Sequence, residues 1–306
     1  MQQPEIIERI SELRRSRKAI ILAHTYTLPE VQEIADFVGD SYGLSKKAAK
    51  IGDCESIVFA GVRFMAETAK ILSPEKRVLL PAPTAGCRMA DMIDGPSLAA
   101  LKAEHPNATV VCYVNSTVEI KALSDVCVTS SNAVKIVGRI ENDEILFVPD
   151  KNLGGFVAEH YPEKRFIFWD GFCPVHNFID PADVMELKAE HPDAKVLMHP
   201  ECAPESRELA DYLISTGQMV DLVAEKRFKK YIIITESGIM HALRLADPDA
   251  EFYSLPPKDL LCPNMKKINL GNILEALEGL KHEVTVDEDI RVKALKSLEK
   301  MLELAG

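Results

Sequence analysis

No stretch of this sequence approaches the ~18 consecutive apolar residues needed to span a bilayer, and no two cysteines stand in a Cys-x-x-Cys pair. Residues 1–18, MQQPEIIERISELRRSRK, are charged and helix-periodic, unlike a secretory leader. Low-complexity tracts are absent, and a basic surplus is too: the formal net charge is −11. That charge argues against a general nucleic-acid binder, which presents a basic surface. It leaves room for a small anionic substrate, which needs only a locally favourable pocket. Seven cysteines is an odd number, and a disulfide framework is not expected in a chain of this size. The expectation is a cytoplasmic protein. Its 306 residues, 47% of them hydrophobic, are enough for two or three cores.

What the sequence does have is an internal repeat. LKAEHPNA at 101–108 recurs as LKAEHPDA at 187–194, an offset of 86. The same offset lays VVCYVN (110–115) over VLMHPE (196–201), and an offset of 89 the other way places Tyr113 over His24 and Asn115 over Tyr26. IADFVGDS, LSDVCVTS and LADYLIST then align, bringing Asp36, Asp125 and Asp211 together, and Ser41, Ser130 and Thr216. The apolar runs SIVFA, ILFVP and YIIIT follow. Each copy ends on a cysteine, at Cys87, Cys173 and Cys262, spaced by the same 86 and 89.

Each copy reads as helix, strand, helix, short strand, helix, strand, helix, strand. Continuous β-branched runs suit strands buried on both faces of a parallel sheet, and proline ends the LKAEHP helices. The expected fold is α/β: three homologous three-layer αβα domains, each a doubly wound parallel sheet, arranged with pseudo-three-fold symmetry. The domains span 1–86, 87–172 and 173–263, with the tail 264–306 packing back on the first.

Ligands of parallel α/β sheets bind at the carboxyl ends of strands. There the first strand of each copy carries a polar pair: His24 and Tyr26, Tyr113 and Asn115, His199 and Glu201. Ser41, Ser130 with Ser131, and Ser215 with Thr216 each precede a helical run. They read as caps or as cradles for carboxylate or phosphate. Cys112 and Cys127 read as core, Cys54 as a loop thiol, and Cys202 as a residue near the pocket. Three repeat-borne thiols converging on one axis suit a metal centre. Spacing does not choose between zinc, which wants a fourth ligand, and an iron–sulfur cluster with one open iron.

At these residues the sequence resembles the quinolinate synthase (NadA) family, from about residue 18 to 306. The motifs are ILAHTY, DFVGDS, YVNS, TSSNA, PDKNLG, CPVHNF, HPEC, STGQM, TES-GIMH and CPNMKK. Arg88 departs locally, where proline is more usual. The resemblance implies condensation of iminoaspartate with dihydroxyacetone phosphate to quinolinate, phosphate and water in NAD biosynthesis. It implies a central [4Fe–4S] cluster held by Cys87, Cys173 and Cys262, its open iron a Lewis acid. Substrate-binding positions then map onto His24, Tyr26, Ser41, Tyr113, Asn115, Ser130, His176, His199, Glu201, Ser215 and Thr216. Only His176 among them was not already marked by the repeat. Glu201, tuned towards neutral pH, is the expected base, with Tyr26 and His199 as catalytic partners. The two substrates and the enzyme that supplies iminoaspartate are the expected partners. The alternatives are another three-cysteine [4Fe–4S] three-domain enzyme, resembling diphthamide synthase, and a non-catalytic metal-binding protein.

Overall fold

A computed structural model describes residues 2–256 and 259–306. Among the described residues, twelve strands form three separate four-stranded sheets, all parallel. The first holds β1 (Ala19–His24), β2 (Phe37–Gly39), β3 (Ser56–Ala60) and β4 (Arg77–Leu79). The second holds β5 (Thr109–Tyr113), β6 (Val126–Val128), β7 (Glu144–Val148) and β8 (Arg165–Phe168). The third holds β9 (Lys195–Met198), β10 (Tyr212–Leu213), β11 (Lys230–Ile234) and β12 (Glu251–Ser254). Their orders are β2-β1-β3-β4, β6-β5-β7-β8 and β10-β9-β11-β12, one order written three times.

The central strands are the apolar runs of the repeat. Ile21, Leu22 and Ala23, then Ile57 and Val58, are fully buried, as are their counterparts Val111, Leu146, Leu197 and Ile232. Strands covered on both faces leave no polar side to alternate with, so the runs are continuous. The aligned aspartates have a structural task. Asp36 accepts the Ile21 amide, Asp125 the Val110 amide and Asp211 the Val196 amide, each at 2.8 Å. In return, the backbone amides of Asp36, Asp125 and Asp211 donate to the carbonyls of the same three residues at 2.9–3.0 Å. Each unit thus ties the approach to its edge strand back onto its first central strand by the same pair of bonds.

In this order the chain leaves the first central strand for one edge and returns to the second central strand. The crevice of each sheet therefore lies outside the carboxyl ends of β1 and β3, β5 and β7, or β9 and β11. That places two lips, not one, at each pocket.

The tail divides, contrary to the expectation that all of it joins the first unit. Helix Leu270–Gly279 packs on helix Gln3–Ser16 and the first core, burying Ile273 and Leu277. Helix Glu288–Ala305 instead packs on helix Val118–Ala122 and β6 of the second unit, with Ala294, Leu298 and Met301 in that core. Its apolar stripe meets a face that the short helix Val118–Ala122 is too small to cover alone. No helix among the described residues is long and apolar enough to cross a membrane.

Candidate active site

A cavity of about 340 Å³ is lined by the carboxyl-end loops of all three sheets. His24 and Tyr26 reach it from the first unit, Tyr113, Asn115 and Ser130 from the second, and His176, His199, Glu201 and Thr216 from the third. Ser41 lines it as well, donating to the Asn115 side-chain oxygen at 3.3 Å. Cys87, Cys173 and Cys262 stand on the same wall.

Glu201 is the hub. Its carboxylate accepts from the Tyr113 hydroxyl at 2.6 Å and lies 2.8 Å from Nδ1 of His176, all three groups being buried. Burial opposes ionisation of Glu201, but the hydrogen bonds it accepts from His176 and Tyr113 outweigh it. They hold the carboxyl below its usual range. On this balance Glu201 faces the cavity as an anion. Burial drives the other way at the histidines. His24 is pushed down to about 3, with Lys266 assisting, and His199 to about 4. Both are neutral at pH 7. In each, Nδ1 accepts the backbone amide two residues on, Tyr26 at 3.1 Å and Glu201 at 3.3 Å. The proton of each neutral ring is therefore on Nε2.

A chain of hydrogen bonds joins Glu201 to the first unit. With His176 donating from Nδ1 to Glu201, its Nε2 accepts from the Thr235 hydroxyl at 2.9 Å. Thr235 in turn accepts from the Tyr26 hydroxyl at 2.7 Å, and Tyr26 accepts from Thr216 at 2.7 Å. These directions belong to His176 protonated on Nδ1 alone, since each hydroxyl then has one proton to give. Burial and the nearby Glu201 charge push both Tyr26 and Tyr113 well above the ordinary phenol range, so both are donors here.

The hydroxyl caps separate into different roles. Asp40, not Ser41, caps helix Ser41–Ala49, which frees the Ser41 hydroxyl for Asn115. Ser215 does cap helix Thr216–Ala224, with Gln218 completing the box. It is fully buried and faces Asp40 at 3.4 Å, and it does not line the cavity. Asp40 also accepts the Gly217 amide at 3.3 Å, where any Cβ would stand 2.7 Å from its oxygen. The anion-binding end of that helix is thus filled by a carboxylate of the first unit. Of the other cysteines, Cys112, Cys127 and Cys202 are fully buried in the cores, and Cys54, in a loop, is nearly so.

Comparison with known proteins bears on this cavity. The family model described as quinolinate synthetase A protein (NadA) matches residues 8–303. The chain belongs to the quinolinate synthase family. Three curated relatives carry the name quinolinate synthase. That of Clostridium acetobutylicum is 56% identical over 297 residues, covering 96% of this chain and 97% of its own. That of Dehalococcoides mccartyi is 52% identical over 297 residues, covering 97% of both. A Clostridium perfringens protein is 50% identical over 304 residues, covering 99% of this chain and 100% of its own.

The donor set of this quinolinate synthase family member fits a metal centre. Burial pushes the Cys87 thiol up to about 12, with Cys262 adding repulsion. Cys173 is driven well above the thiol range by burial and by Glu201, Cys87 and Cys262, and Cys262 is raised by burial. Three mutually repelling thiols, each largely enclosed but open to the cavity, ionise together only around a cation. Backbone amides already point at the sulfurs, those of Met89 and Ala90 at Cys87 and those of Asn264 and Met265 at Cys262. Among the described residues, one trio of donor atoms lies within 4.8 Å of one another: Cys173, His176 and Glu201. The three cysteines are not such a trio, so they suit a group broader than one ion.

The second lip of each crevice supplies residues that the repeat did not flag in this quinolinate synthase family chain. Asp150 follows β7, is fully buried, and caps helix Lys151–Ala158 through one oxygen. Burial and Glu201 push it well above the carboxylate range. Asn152 donates to the Glu201 carbonyl at 3.0 Å and so fixes the backbone of the hub. Thr235 and Glu236 follow β11. The alignment of SIVFA, ILFVP and YIIIT with what comes after them held the signal. It was silent in the first unit, where the equivalent tip is Gly61–Val62.

Proposed function

We propose that this chain is a quinolinate synthase that condenses iminoaspartate with dihydroxyacetone phosphate, releasing phosphate and water. The observation that carries the reading is the single cavity where three repeat-borne thiols meet Glu201, His176, Tyr113 and Tyr26. The relatives named quinolinate synthase, matched over nearly their whole length, support it. Cys87, Cys173 and Cys262 would hold a [4Fe–4S] cluster at the centre of three units divided near residues 87, 173 and 263. With three protein thiolates, one iron of such a cluster keeps an open position and supplies Lewis acidity to a substrate oxygen.

The chain's own residues bind and move protons. Both substrates are anionic, yet among the described residues the cavity wall carries one permanent cation, the exposed Arg88. Recognition therefore rests on neutral donors: Nε2 of His24 and His199, the Ser41 and Ser130 hydroxyls, and the amide of Asn115. Glu201 accepts protons from the condensing carbons, as a pre-ionised base already within a hydrogen-bond network. The chain from Tyr26 through Thr235 to His176 donates toward Glu201 and so steadies its charge between proton transfers. On the far side of the cavity Tyr26, turned from Thr235 to a substrate, can give its own proton to a leaving hydroxyl or carbonyl oxygen. Apolar walls from Phe64, Met65 and Met89 keep water from the intermediates. In the cell the expected setting is cytoplasmic, beside an enzyme supplying iminoaspartate.

Anaerobic purification with iron and sulfide quantification, run beside a quinolinate assay, tests the reading. The expected result is about four irons and four sulfides per chain and quinolinate formed without reductant or S-adenosylmethionine. Zinc without sulfide, or a requirement for either co-reactant, overturns it.

A further inference from the structure

Glu236 lines the cavity, and behind it Lys266 completes a charge pair that takes no part in binding or proton transfer. Glu236 follows β11 and is fully buried. One of its carboxylate oxygens accepts the backbone amide of Cys262 at 3.0 Å, the other that of Gly238 at 2.7 Å. Lys266 Nζ lies 2.9 Å from the first oxygen and 3.2 Å from the second. It also donates to the backbone carbonyl of Tyr26 at 2.6 Å, across the seam between the third unit and the first.

Around this pair the Tyr26 loop is held at every carbonyl. Gln32 donates to Thr25 and Thr27, each at 2.9 Å, and to Gly238 at 3.2 Å. Gly238 packs so closely that a Cβ there would stand 2.7 Å from the Tyr26 carbonyl group and 2.8 Å from Lys266 Nζ. At the other end, the Asn264 and Met265 amides turn toward the Cys262 sulfur, and Lys266 is the next residue along. The Lys266 amide itself donates to the Cys262 carbonyl at 3.3 Å, so the lysine is tied to the cysteine loop through the backbone as well.

We infer that the Glu236–Lys266 pair is a positioning device that couples the Cys262 loop to Tyr26, so that occupation of the thiols fixes the Tyr26 loop in place. This rests on the cluster reading. A purely structural ion pair would stabilise both states alike; a coupling pair makes the order of one loop depend on the loading of the other.

The test compares amide hydrogen exchange of residues 24–28 in metal-free and cluster-reconstituted protein, for the native chain, Lys266→Met and Lys266→Arg, with iron counted in each. In the native chain, reconstitution slows exchange of the Thr27 amide by about tenfold or more. In Lys266→Met, iron uptake is unchanged but the slowing shrinks to less than about twofold, and Lys266→Arg restores it. Quinolinate kcat falls by about 10²-fold in Lys266→Met through misplacement of Tyr26, with KM for dihydroxyacetone phosphate little changed. If Lys266→Met does not fold, Lys266→Gln carries the same comparison. Equal protection on loading in the native chain and the neutral variant overturns the coupling. Iron uptake by none of the proteins overturns the cluster reading and the coupling with it.

Discussion

At the scale of single residues, the site separates charge from protons. Glu201 holds a negative charge that its hydrogen-bonding neighbours stabilise, while His24 and His199 are held neutral by burial. Glu201→Gln removes the acceptor and keeps the shape. Its kcat is expected to fall by at least about 10²-fold, with iron content unchanged. Thr235→Val breaks the path between His176 and Tyr26. It should lower kcat by about tenfold or more while leaving KM within a small factor, measured in the same assay. The histidines also set an acid limit. Unfolded, each titrates near 6.5; folded, they titrate at about 3 and about 4. Below 6.5 the unfolded chain binds more protons, so their contribution is complete above that value and is lost as pH falls towards 4. Each costs about 1.4 kcal/mol per pH unit across that window. Urea unfolding of metal-free protein at pH 7, 6 and 5 checks this. A midpoint that does not move between pH 7 and 5 would contradict it.

At the scale of elements, the legible part of the sequence was whatever the three copies share. The four-strand pattern, the polar pairs at the carboxyl ends of β1, β5 and β9, and the three cysteines all recur, so alignment exposed them. The second lip did not recur: Gly61, Asp150 and Glu236 at matching strand tips have nothing in common as side chains. The division of labour among Ser41, Ser215 and Thr216 was hidden for a related reason. Which hydroxyl caps and which faces the cavity depends on a neighbour from another unit, and sequence shows no such neighbour. Aspartates 36, 125 and 211 show the converse, a recurrence that serves the sheet and not the site. Replacing Asp211 with alanine strands the Val196 amide and should cost about 1.5–3 kcal/mol, with equal costs at the two equivalent positions, read by denaturant unfolding. Leu298→Ala opens a hole under the last helix and should cost about 2–5 kcal/mol, with hydrogen exchange rising in β6 before β2 or β10.

At the scale of the whole molecule, the chain sorts its thiols into two classes. Cys87, Cys173 and Cys262 are partly open to the cavity, while Cys54, Cys112, Cys127 and Cys202 are closed off. Native metal-free protein is expected to react with a thiol reagent at those three positions only. Cluster-loaded protein should react at none of them, and unfolded protein at all seven; mass spectrometry of the labelled peptides identifies which. The divided tail adds a matter of manufacture. Residues 270–279 complete the first core and 288–305 the second, so the two units made first are finished by segments made after the third. A growing chain emerges from its amino end and folds domain by domain. Here the early domains wait, with apolar faces uncovered, until the third unit has been synthesised. The three sulfur loops are then assembled at nearly the same moment, so on the cluster reading metal delivery has to wait for the third unit.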